Sequence, residues 1–103
     1  MVKNKLVRDK IPAIIKQNGG TANTMRLDDD AAYFNALNEK LKEEMNEYFE
    51  DYSIDELADI VEVIHAIVRH KGLTVDDLER ARLEKYNERG GFENRIYLVS
   101  DSK

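Results

Sequence analysis

The chain has no cysteine, no tryptophan, a single proline and five glycines. Without cysteine there is no disulfide framework and no thiolate chemistry. One proline and no low-complexity tract count against a turn-rich sandwich or a disordered tail. No apolar run approaches a membrane span, and the N-terminus carries no hydrophobic signal region. A cytoplasmic protein with no membrane partner is therefore expected. Positive charge is also in deficit: 16 Lys and Arg face 21 Asp and Glu, a net charge of −5. A nucleic-acid partner calls for a basic face, so none is expected. A nucleotide stays possible, because a metal ion can screen its phosphates.

What remains is a helical pattern. With 103 residues, 36% of them charged, the chain fits one small domain over residues 1–103 with a modest core. A brief extended piece at Leu6-Val7 precedes a first helix from about Asp9 to Asn18, with Pro12 in its first turn and Gly19-Gly20 after it. Residues 20–27 read as a loop or short strand. Asp28-Asp29-Asp30 place negative charge where a second helix starts. Its apolar stripe runs through Phe34, Leu37, Leu41, Met45, Tyr48 and Phe49. Ser53-Ile54-Asp55-Glu56 has the form of a capping box and opens a third helix, which stops at Gly72. Thr74 to Asp77 caps a fourth, which runs to about Arg89 before Gly90-Gly91. The tail from Phe92 to Ser100 reads as a short strand or an extended arm. Short links between long helices predict an all-α bundle of about four helices with antiparallel neighbours.

Two acidic blocks stand out. Glu43-Glu44-Met45-Asn46-Glu47 and Glu56-Leu57-Ala58-Asp59 each hold an acid–x–x–acid unit on a helix, which puts the two acids on one face. At about 100° per residue, Glu44 and Glu47 lean toward the packing edge of the second helix. Glu39, Glu43 and Glu50 fall on its far, solvated side. Glu56 and Asp59 lie at the apolar margin of the third helix. If the two margins meet, four acids converge, and repulsion either raises their pKa values or recruits a cation. Mg²⁺ or Mn²⁺ suits such an oxygen cage, and chemistry on phosphates follows from it. Plainer roles compete. The acids can be ordinary helix-surface charges, with Lys40 one turn before Glu44, and Glu56 can close the Ser53 capping box. His65 and His70 read as surface or packing residues, and Tyr33, Phe34 and Tyr48 as core rather than base-stacking groups. Positive groups for a phosphate lie at Lys5, Arg8 and Lys10 and at Lys85 and Arg89, the last two sharing a face at a helix C-terminus. There they also favour the helix dipole, which is reason enough for their presence.

The order Glu44-x-x-Glu47, then Glu56-x-x-Asp59, resembles the all-α nucleoside triphosphate pyrophosphohydrolases of the MazG type. Lys5-Leu6-Val7-Arg8-Asp9-Lys10-Ile11-Pro12 and Arg89-Gly90-Gly91-Phe92-Glu93-Asn94-Arg95-Ile96 are similar to the phosphoribosyl-ATP pyrophosphohydrolase-like branch. The resemblance implies Mg²⁺- or Mn²⁺-dependent cleavage of the α–β phosphoanhydride of a nucleoside triphosphate, giving a monophosphate and pyrophosphate. It implies Glu44, Glu47, Glu56 and Asp59 as metal ligands and Glu43 as a catalytic residue that orients or deprotonates water. Arg8, Lys10, Lys85 and Arg89 would bind substrate phosphates. It also implies a homodimer or homotetramer that completes the bundle. Phosphoribosyl-ATP hydrolysis and a non-catalytic helical dimerisation module are the alternatives.

Overall fold

Two long helices joined by a two-residue link organise the chain. They belong to a computed structural model that describes residues 4–102. Among these residues there are four helices and no strand: α1 (Ile11–Gln17), α2 (Asp30–Asp51), α3 (Ile54–His70) and α4 (Val75–Arg89). No helix is long and apolar enough to cross a membrane.

Local chemistry sets the helix ends. The Asp29 carboxylate accepts from the Ala32 N–H at 2.9 Å and starts α2. Tyr52, at φ 56°, turns the chain out of α2 in the left-handed region, and its ring meets Tyr48 edge-on at 5.7 Å. The Ser53 hydroxyl then accepts from the Glu56 N–H at 3.3 Å and starts α3. Only half of the expected capping box forms. The Ser53 N–H donates to the Asp51 carboxylate at 3.0 Å, so the Glu56 side chain is not drawn back to the cap. Gly72, at φ 80°, ends α3, with its N–H bonded to Arg69 and that of Leu73 bonded to Val68. Thr74 and Asp77 form a complete capping box at α4. The loop over residues 20–27 and the tail after Gly91 form no strand, and the tail leaves Phe92, Ile96, Tyr97, Leu98 and Val99 exposed. The first helix is shorter than the sequence pattern predicts, because neither Lys10 nor an acid caps its first turn.

The core lies between α2 and α3. Leu37 on α2 and Val63 and Val68 on α3 are its buried apolar side chains among the described residues. Tyr33 and Phe34 close one end against His70, with ring centroids 5.2 and 5.7 Å away, which confirms packing roles for all three. The amino-terminal part of α4 covers the end of α3, where Val75 and Leu78 are half-buried, while α1 packs on no other helix. The result is an open bundle. Its radius of gyration is 18.0 Å, against about 13 Å for a compact chain of this length. Its accessible surface is 9408 Å², against roughly 6,000 Å² for a compact monomer of this mass. Ile54, Leu57 and Val61 form an uncovered stripe on α3, and Met45, Phe49 and Tyr52 form one on α2.

Candidate metal centre

The hairpin sets the two acidic blocks side by side. α2 reaches its Glu43–Glu47 stretch shortly before the turn, and α3 presents Glu56 and Asp59 in its first two turns. Each of Glu44, Glu56 and Asp59 offers a carboxylate oxygen within 4.8 Å of the other two. Glu44 is the buried member, with 7% of its side chain exposed. Its Oε1 meets Lys40 Nζ at 3.1 Å, while its Oε2 is buried without a hydrogen-bond partner. Glu56 Oε2 is likewise buried and unpartnered. Leaving the Glu44 acceptor unmatched costs on the order of 1–3 kcal/mol in a typical interior. Two unmatched carboxylate oxygens beside a third acid fit the oxygen set of a hard divalent cation.

The charges agree with that geometry. Burial pushes the Glu44 carboxyl above its ordinary range, and the Glu47 charge adds to the rise while Lys40 opposes it. Glu56 is also raised, by burial and then by the charges of Glu47, Asp51, Asp59 and Glu44. Glu47, half-buried, thus acts on both residues from beside the group, but it is not one of the three that crowd within 4.8 Å. Three of the four expected ligands are brought together closely, with Glu47 at the margin.

Positive groups crowd the same place. Arg8 Nη2 meets Asp59 Oδ1 at 2.7 Å, and Lys5 Nζ meets Glu43 Oε1 at 2.8 Å. Lys40 Nζ lies 3.1 Å from both Glu43 and Glu44. The helical wheel assigns Glu43 to an open, solvated face, and the structure corrects this. Its side chain is only 28% exposed, because the segment before α1 lies across it and brings Lys5. Burial raises its pKa, but the hydrogen bonds from Lys5 and Lys40 outweigh burial and hold the carboxyl below its usual range. Lys40 is the residue that sequence reasoning undervalued. Its side chain is 16% exposed, and although burial opposes its charge, the bonds to Glu44 and Glu43 hold the ammonium above its ordinary value. Its position one turn before both acids was the available signal.

The other predicted phosphate groups are not at this centre. Lys10 is exposed at the start of α1 and caps nothing with its side chain. Lys85 and Arg89 are exposed on the second half of α4 and form no ion pair among the described residues. A cavity of about 390 Å³ lies between α1 and the following loop, against Pro12, Lys16 and Thr21, and has no acid on its wall. Comparison with protein-family models, with curated proteins and with solved structures returns no match.

Proposed function

We propose that the chain is a divalent-metal-dependent nucleotide pyrophosphohydrolase, cleaving a nucleoside triphosphate at the α–β anhydride. The observation that carries this reading is the buried, unpartnered Glu44 Oε2 within a cluster completed by Glu56 and Asp59. Glu44, Glu56 and Asp59 would hold Mg²⁺ or Mn²⁺, with Glu47 supporting them. A bound divalent cation neutralises phosphate oxygens and acidifies water.

The chain's own groups divide the remaining work. Water attacks a phosphorus of the α–β anhydride, the bond to the bridging oxygen breaks, the water's proton passes to solvent, and monophosphate and pyrophosphate leave. Glu43, held by two lysines and with a lowered pKa, suits orienting a water better than deprotonating it. Arg8 and Lys10 precede or open α1, and Arg8 already lies at the edge of the cluster to receive phosphate oxygens.

Lys85 and Arg89 reach phosphate in this reading only through assembly. Uncovered apolar stripes on α2 and α3, and the large excess of exposed surface, support a homodimer or homotetramer that buries those stripes. Obligate interfaces of roughly 2,000–5,000 Å² match the scale of that excess.

The test is a panel of nucleoside triphosphates with Mg²⁺ or Mn²⁺ and pyrophosphate detection, with phosphoribosyl-ATP as one arm. Metal-dependent pyrophosphate release that is lost in Glu44→Gln and Asp59→Asn supports the reading. Release of orthophosphate alone refutes it. The ion pairs of Lys5, Arg8 and Lys40 favour a second reading, a non-catalytic helical module whose acids are matched by bases. A melting temperature indifferent to Mn²⁺ would select that one.

A further inference from the structure

The segment over residues 4–10 is tied to the acidic centre at two points: Lys5 on Glu43 of α2 and Arg8 on Asp59 of α3. Between them Leu6 is half-buried. A cavity of about 290 Å³ opens between this segment and α2, with Lys5 and Lys40 and the acids Glu39 and Glu43 on its wall.

The carboxylates at and beside the centre (Glu43, Glu44, Glu47, Asp51, Glu56 and Asp59) outnumber the cationic groups paired with them, Lys5, Arg8 and Lys40, and leave an excess of negative charge that favours a cation. Such an ion would draw on Asp59, one of the three carboxylates in the close cluster, and so compete with the Arg8 guanidinium for it. Arg8 is loosely held, with 55% of its side chain exposed. Freed from Asp59, it stays beside the cluster with its planar fork open to a phosphate.

We infer that Arg8, on the strap of residues 4–10, is a charge-exchange group: it neutralises Asp59 until a divalent cation takes over that charge, then binds phosphate oxygens beside the cluster, while Lys5 stays on Glu43. This rests on the proposed metal site and adds a linkage to it. Cation and phosphate bind with positive coupling. Lys10 is exposed at the start of α1, makes no side-chain cap bond and has no part in the exchange.

The experiment is isothermal titration of the full chain with Mn²⁺ alone, and then with inorganic pyrophosphate in saturating Mn²⁺. Arg8→Ala removes the competitor, so it should bind Mn²⁺ alone about two- to five-fold more tightly, the range for an exposed ion pair. The same variant should bind pyrophosphate about ten-fold or more weakly, having lost a charge-assisted partner. Arg8→Lys should be intermediate in both, and far-UV circular dichroism should match the wild type. Unchanged or weaker Mn²⁺ binding in Arg8→Ala, or unchanged pyrophosphate binding, overturns the strap while the metal site stands. If the wild type binds no Mn²⁺, or Glu44→Gln binds it equally well, the metal site itself fails and the strap with it.

Discussion

Replacing Glu44 by Gln should produce opposite effects with and without metal. Without metal, the wild-type carboxylate is a burden. It is almost fully buried, one oxygen lacks a partner, and burial with the Glu47 charge raises its pKa. A raised pKa means the folded state prefers the neutral form, which Gln imitates in shape and charge. Gln can still accept from Lys40, and its amide can donate toward the neighbouring carboxylates. Relief of one unmatched buried acceptor, less the weakened Lys40 bond, leaves a gain of about 1 kcal/mol. In a domain of this size that raises the melting temperature by about 4–8 °C. With Mn²⁺ at a hundred times its dissociation constant, the wild type should gain about 2.7 kcal/mol and overtake the variant, which gains far less. Thermal melts of both proteins at one fixed concentration, with EDTA or Mn²⁺, test the crossing. Equal Mn²⁺ stabilisation of the two proteins, or a variant less stable in EDTA, would refute the argument.

Other outcomes follow from the same structure. Glu44 and Glu56 have raised pKa values, so the folded state takes up protons before the unfolded chain as pH falls from neutrality, and stability should rise. Glu43 and Asp77 have lowered values, so their contribution is present above the ordinary carboxylate range and is lost below it. Melts in EDTA should therefore peak at mildly acidic pH, and a stability that rises steadily from pH 5 to 8 would contradict this. Mn²⁺ affinity should fall over that same acidic approach, as protons compete for Glu44 and Glu56. Thr74→Ala removes the hydroxyl half of a complete capping box and should cost about 1 kcal/mol in urea unfolding, with no change in Mn²⁺ affinity. Val61→Lys places a charge on the uncovered stripe of α3, and if the proposed homo-oligomer forms through that stripe, light scattering should show the variant as a monomer where the wild type is larger.

Helices were legible because their signals are local. The apolar spacing over Phe34–Phe49, the acidic start at Asp28–Asp30, the Thr74–Asp77 cap and the Gly72 stop act within a few residues and recur in the structure. Acid–x–x–acid spacing likewise placed Glu44 and Asp59 toward the packing margin. Glu56 was ambiguous, since a capping role and a site role need the same side chain. Asp51 resolves this by taking the Ser53 N–H, a contact set by the tight α2–α3 turn. Glu43 was misplaced for a different reason. A helical wheel describes one helix in water, and it cannot include a segment 38 residues earlier that lays Lys5 against that face.

Helix positions, caps and the faces of the acids thus follow from neighbours along the chain, where spacing alone dictates who meets whom. The packing of α2 on α3 selected Glu44, Glu56 and Asp59 as the close group and left Glu47 at its margin, and the segment before α1 set Lys5 on Glu43 and Arg8 on Asp59. Those relations join residues up to 51 positions apart. Their energies depend on distance and burial, which exist only once the helices have docked.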